Sequence, residues 1–100
     1  MSDGTPLHVA VLQVELDLPA CRTLKDKRSA LKSLLIAIQR EFGCSAAEIG
    51  WLDDPGRGLI ACAVIGNDGR HTQRVVQKIP GWIEAHRPDL EVIDSQFEPR

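Results

Sequence analysis

Residues 8–35 read H-V-A-V-L-Q-V-E-L-D-L-P-A-C-R-T-L-K-D-K-R-S-A-L-K-S-L-L, and the apolar spacing changes along them. Over 8–18 it is two. Ala10, Leu12, Val14, Leu16 and Leu18 fall on one side, and Val9, Val11, Gln13, Glu15 and Asp17 on the other. That alternation predicts a strand with one apolar face. From Thr23 the spacing becomes helical. Thr23 with Asp26 three residues on is a capping-box start, and Leu31, Leu34, Leu35, Ile38 and Phe42 make one stripe. Gly43 is placed to stop the helix.

The same reading carried outward gives four further elements. Residues 44–52 suit a second strand and D-D-P-G-R-G (53–58) a turn. L-I-A-C-A-V-I (59–65) is apolar on both faces, as a central strand is. Asn67 or Asp68 can cap a second helix carrying Val75, Val76, Ile79, Trp82 and Ile83, with His86, Arg87 and Pro88 at its end. Pro80-Gly81 lies inside it and predicts a kink or break, because proline donates no hydrogen bond and crowds the preceding turn. Residues 90–98 form a last, more polar strand. The order is β-α-β-β-α-β. Right-handed crossovers put both helices on one face of a four-stranded antiparallel sheet. This is the α+β, ferredoxin-like sandwich, expected here as a single domain over 1–100.

Composition leaves a soluble protein as the expectation. The chain is 43% hydrophobic and 26% charged, with net charge −2. Cys21, Cys44 and Cys62 are odd in number, far apart and in no C-x-x-C pair. They read as reduced thiols of a cytoplasmic protein, with neither a disulfide framework nor a structural zinc site. M-S-D-G-T-P at the start lacks the charged and apolar regions of a signal peptide, and no apolar run is long enough for a membrane span.

The charge is unevenly placed. Residues 22–40 hold six Lys and Arg against one acid. Arg22, Lys25, Lys27, Arg28 and Lys32 crowd the front of the first helix, where the macrodipole disfavours cations by a few tenths of a kcal/mol each. Lys25, Arg28 and Lys32 fall within about 60° of one another on a helical wheel, and Lys27 flanks them beyond the apolar stripe. One reading is an anion site, where these cations and the free N–H groups of a helix end meet phosphate. The other is a solvated face whose cations pair with Asp17, Asp26 or another local acid. The outward sheet face, with Gln13, Glu15, Asp17, Glu48 and Asp94, is expected to be acidic.

T-L-K-D-K-R (23–28), after the strand H-V-A-V-L-Q-V-E-L-D-L-P, resembles the signature of the YlxP-like family of small bacterial proteins. The resemblance extends to Ala47-Glu48, to A-V-I-G-N-D (63–68) and to E-V-I-D in the last strand. It departs at W-L-D-D-P-G-R-G (51–58), shorter than the polar segment of relatives, and at Pro80-Gly81. The resemblance implies a ferredoxin-like fold and a bacterial cytoplasmic protein, with no established activity. Members are often encoded beside translation-initiation and ribosome-maturation factors, which implies an RNA or ribosomal role.

No catalytic set stands out. Cys21 precedes the basic helix, where the helix end and Arg22 would lower its pKa, but no signature ties it to a histidine. His8, His71 and His86 lack metal-ligand spacing, and G-N-D-G (66–69) is neither a P-loop nor a dinucleotide fingerprint. Catalytic residues, metal and cofactor are therefore expected to be none. Base stacking on the sheet is disfavoured, since the expected open face has acids and no aromatics. Two functions remain. In the first, Arg22, Lys25, Lys27, Arg28 and Lys32 dock the protein on structured RNA or a ribosomal particle. In the second, Val9, Val11, Gln13 and Glu15 on the open sheet face form a homodimer or another protein or small-ligand interface.

Overall fold

The computed structural model describes residues 4–100. Strand β1 (His8–Asp17) leads into helix α1 (Leu24–Phe42), then β2 (Ser45–Gly50) and β3 (Arg57–Gly66). Helices α2 (Gly69–Gln77) and α3 (Ile79–His86) follow, and β4 (Glu91–Pro99) ends the order. The sheet runs β2-β3-β1-β4 with every neighbouring pair antiparallel. This is the ferredoxin-like arrangement, with the two most apolar strands in the centre.

One face of the sheet carries the core. Ala10, Leu12, Val14 and Leu16 of β1 and Ile60, Cys62 and Val64 of β3 are buried, and their alternates are not. Leu31, Leu34 and Ile38 of α1, Val76 of α2 and Ile79 and Ile83 of α3 join the same cluster, so all three helices cover that face. Each of the valine, leucine and isoleucine side chains among them contributes roughly 1.5–3 kcal/mol by leaving water.

The helix ends follow local rules. The Thr23 hydroxyl accepts the Asp26 N–H at 3.0 Å, and the Asp26 carboxylate accepts the Thr23 N–H at 3.3 Å, a complete capping box. Gly43 ends α1 at φ 59°, a left-handed conformation that glycine adopts without a Cβ clash. Asp68 caps α2 through the N–H groups of Arg70 and His71. The expected interruption falls at Lys78, which separates α2 from α3. Pro80 then sits in the first turn of α3, where no N–H is required of it. In one continuous helix its ring would have met the Val76 carbonyl.

Two bulges shape the edges. The β1–β4 register shifts between Glu15 and Leu16, leaving Ile93 as the extra residue, and the β2–β3 register shifts between Glu48 and Gly50. After the second, Trp51 turns at φ 57° and leads the chain towards β3.

Candidate functional site

Helix α1 presents two different sides. Lys27 points inward and is only 1% exposed. It lies four, seven and eleven residues before Leu31, Leu34 and Ile38, so the helical repeat places it on the buried stripe. Its Nζ donates to the carbonyl oxygens of Trp51, at 2.5 Å, and Asp54, at 2.8 Å, in the β2–β3 turn. Glu48 Oε2 lies 2.8 Å away, an ion contact outside hydrogen-bond angles. The ammonium thus closes a cage made by one strand and one turn. The turn is prepared for it: the Asp54 N–H donates to Trp51 O, and the Gly56 N–H to Asp54 Oδ1. Lys27 therefore does not flank a surface patch. It is a structural cation.

This also moves Glu48. Expected on the outward face, it lies on the helix side, opposite buried Ile60, while Ser45, Ala47 and Ile49 face out. Lys27 reverses the usual preference by giving the carboxylate a partner inside, and apolar Ile49 is left exposed.

The outer side of α1 holds Lys25, Arg28 and Lys32, and Arg22 lies just before its cap; all four are exposed. Among the described residues none of the four has a carboxylate within 4.0 Å; the ion pairs are Lys27–Glu48, Arg57–Glu15, Arg87–Asp89 and Arg100–Glu98. Asp26, the acid beside them, turns its carboxylate to the N–H groups of Arg22 and Thr23. Those backbone bonds, the Arg22 one first, hold its pKa below the usual carboxylate value. The Asp26 carboxylate is thus engaged with the two N–H groups just before the helix, and side-chain cations are what the patch offers a ligand. Arg28 and Lys32 also rim an open groove of about 370 Å³ between α1 and β2, with Leu31, Leu35, Ile36, Gln39 and Glu48 as its other walls.

The far end of this layer is clamped by Arg87. Its guanidinium holds Asp89 through two bonds of 2.9 and 3.0 Å and donates to Ala30 O and Ser33 Oγ of α1. Nothing in R-P-D announces that reach. Trp82 packs edge-on to Phe42 at 5.7 Å and stacks on His86 at 4.4 Å, so the proline leaves it at the core's margin.

Val9, Val11, Gln13 and Glu15 lie together on the open face, each partly exposed. Glu15 pairs with Arg57 at 3.1 Å, and the Arg57 guanidinium sits 4.2 Å over the Trp51 ring at one corner. Asp94 and Glu98 stand opposite Glu15 and Val11, so the β4 side is acidic, whereas Phe97 stands opposite buried Leu12.

The thiols are quiet. Burial first, then Asp26 and Asp89, raise the Cys21 pKa, the reverse of activation by Arg22. Burial pushes Cys62 up to about 12. Among the described residues no three His, Cys, Asp or Glu converge as metal ligands, and no helix is long and apolar enough to cross a membrane.

An antiparallel β-α-β-β-α-β sandwich with an exposed basic helix face defines the class. Residues 9–97 match the family described as "Protein of unknown function (DUF503)", and the chain belongs to that family. It is also similar to the uncharacterized protein YlxP of Bacillus subtilis (strain 168), 30% identical over 69 residues that cover 69% of this chain and 74% of the relative.

Proposed function

We propose that this is a non-enzymatic binding protein of the bacterial cytoplasm that docks on structured RNA, such as a ribosomal particle, through the outer face of α1. The observation that carries the reading is that Arg22, Lys25, Arg28 and Lys32 are exposed and, among the described residues, have no carboxylate within 4.0 Å, while Asp26 is engaged with the backbone. Four cations on one surface suit a polyanion whose charges repeat along its length. Their long, exposed side chains contact phosphates and so fix position and shape rather than base identity. The open sheet supports this choice of face: its β4 side is acidic, and Phe97 is on the core side.

The test is binding of the wild-type chain and a Lys25→Glu/Arg28→Glu/Lys32→Glu variant to purified ribosomal subunits and to a structured RNA fragment. The three positions are exposed, so the variant folds. The wild type binds at low salt and the variant loses binding. Equal binding by the folded variant sinks the assignment, and no binding by the wild type returns the patch to a solvated face.

A further inference from the structure

The open face of the sheet is a second surface, independent of the basic helix. Its β2–β3 side is small and apolar: Ala47 stands opposite Ala61, and Ala63 opposite Val11, with Gln13 beyond Ala61 on β1. Larger apolar residues flank it with much of their surface in water: Ile65 is 70% exposed, Ile49 47%, and Trp51, under the Arg57 guanidinium, 45%. Val9 and Leu59 complete the patch. Four strands at about 4.8 Å spacing, over about 25 Å of length, give a flat footprint on the order of 500 Å² before side-chain relief is counted. That approaches the roughly 800 Å² of accessible surface per partner in a stable interface. The apolar part of that footprint is its β2–β3 side with Val9 and Val11, and exposed apolar residues gathered on one face mark an interaction site.

We propose that this face binds a second copy of the same chain, sheet to sheet. A two-fold interface needs a self-complementary patch, and the charges decide its direction. An axis across the strands would stack β4 on β4, setting Glu91, Asp94 and Glu98 against their copies. An axis along the strands lays β4 over β2, whose outward residues Ser45, Ala47 and Ile49 are uncharged, and β1 over β3. Val9 stands opposite Ile65 and Val11 opposite Ala63 within one sheet. In this stacking Val9 and Val11 therefore cover Ile65 and Ala63 of the second copy near the axis. The alanines let the two sheets approach to about 10 Å, the spacing of a β-sandwich. The basic faces of α1 point away from the contact, so the dimer presents two of them.

Sedimentation velocity across micromolar concentrations, at low and high salt, is the experiment. The expected result is a species of twice the 11.0 kDa chain mass that grows with concentration and persists in high salt. Val11→Asp and Ile65→Asp each weaken it roughly tenfold or more. Ile36→Asp, at an exposed apolar position on α1, leaves it unchanged. Ile65 is the more exposed of the two, so its variant keeps the test valid if Val11→Asp misfolds; circular dichroism verifies each fold. A concentration-independent monomer overturns the proposal. So does association that salt dissolves, which would be the basic helix face meeting the acidic sheet, or association that neither variant weakens. RNA binding by Ile65→Asp separates this proposal from the reading of α1.

Discussion

Lys25 and Lys27 are two residues apart in one helix and serve opposite ends. Lys27 is enclosed by two turn carbonyls and Glu48, and its charge is spent on holding the β2–β3 turn against α1. Lys25, with Arg22, Arg28 and Lys32, faces water, and among the described residues none of the four has a carboxylate within 4.0 Å. A cation's worth to the fold depends on what surrounds it. Buried charge requires every partner it has, and an exposed charge adds little to stability and stays available to a ligand.

The contrast breaks most plainly at Lys27. Lys27→Met leaves Glu48 without its partner and the Asp54 carbonyl without a donor, while Trp51 O keeps the Asp54 N–H, and should cost about 3–5 kcal/mol, as for removing one member of a buried pair. Lys25→Met should change stability by no more than about 0.5 kcal/mol. Urea midpoints of the two variants measure the difference directly; equal midpoints would erase the distinction between the sides.

A smaller effect is expected at the cap that orients both sides. Thr23→Ala removes the hydroxyl bonded to the Asp26 N–H and should cost about 1 kcal/mol, read by thermal unfolding. Acid gives the mildest sharpening. The Arg22 N–H holds the Asp26 pKa down, the His71 N–H that of Asp68, and the Arg87 side chain that of Asp89. Each carboxyl is below its ordinary 3.8 in the folded chain, so its stabilisation is present above that pH and disappears as pH falls through the folded values. Stability should therefore decline below about pH 4, and Asp89→Asn should flatten the decline in an acid titration followed by circular dichroism.

The parts legible in the sequence are those governed by short-range rules. The Thr23–Asp26 box, the Gly43 stop, the Asp68 cap and the break before Pro80 each depend on a few adjacent residues. The strand order followed from the short turn between β2 and β3 and from the two apolar strands. The inward turn of Lys27 had a signal, its place in the register of Leu31, Leu34 and Ile38, but its charge argued for the surface. What makes burial tolerable is a cage built by Trp51 and Asp54, more than twenty residues away, whose carbonyls converge only in the folded turn. Glu48 was misplaced for the same reason: its side of β2 is set by a partner that local alternation does not contain. The outer patch was legible as composition, and the distance of its cations from the described carboxylates only in three dimensions.

The most direct test of the central claim is the salt dependence of binding to a structured RNA fragment, measured for the wild type and for Lys25→Met. With four phosphate contacts, the logarithm of the binding constant should fall with a slope of about −3 to −4 per logarithmic unit of salt, and Lys25→Met should make it shallower by about one. A wild-type slope near zero, or one that Lys25→Met leaves unchanged, would contradict the assignment of the outer face of α1 to phosphate.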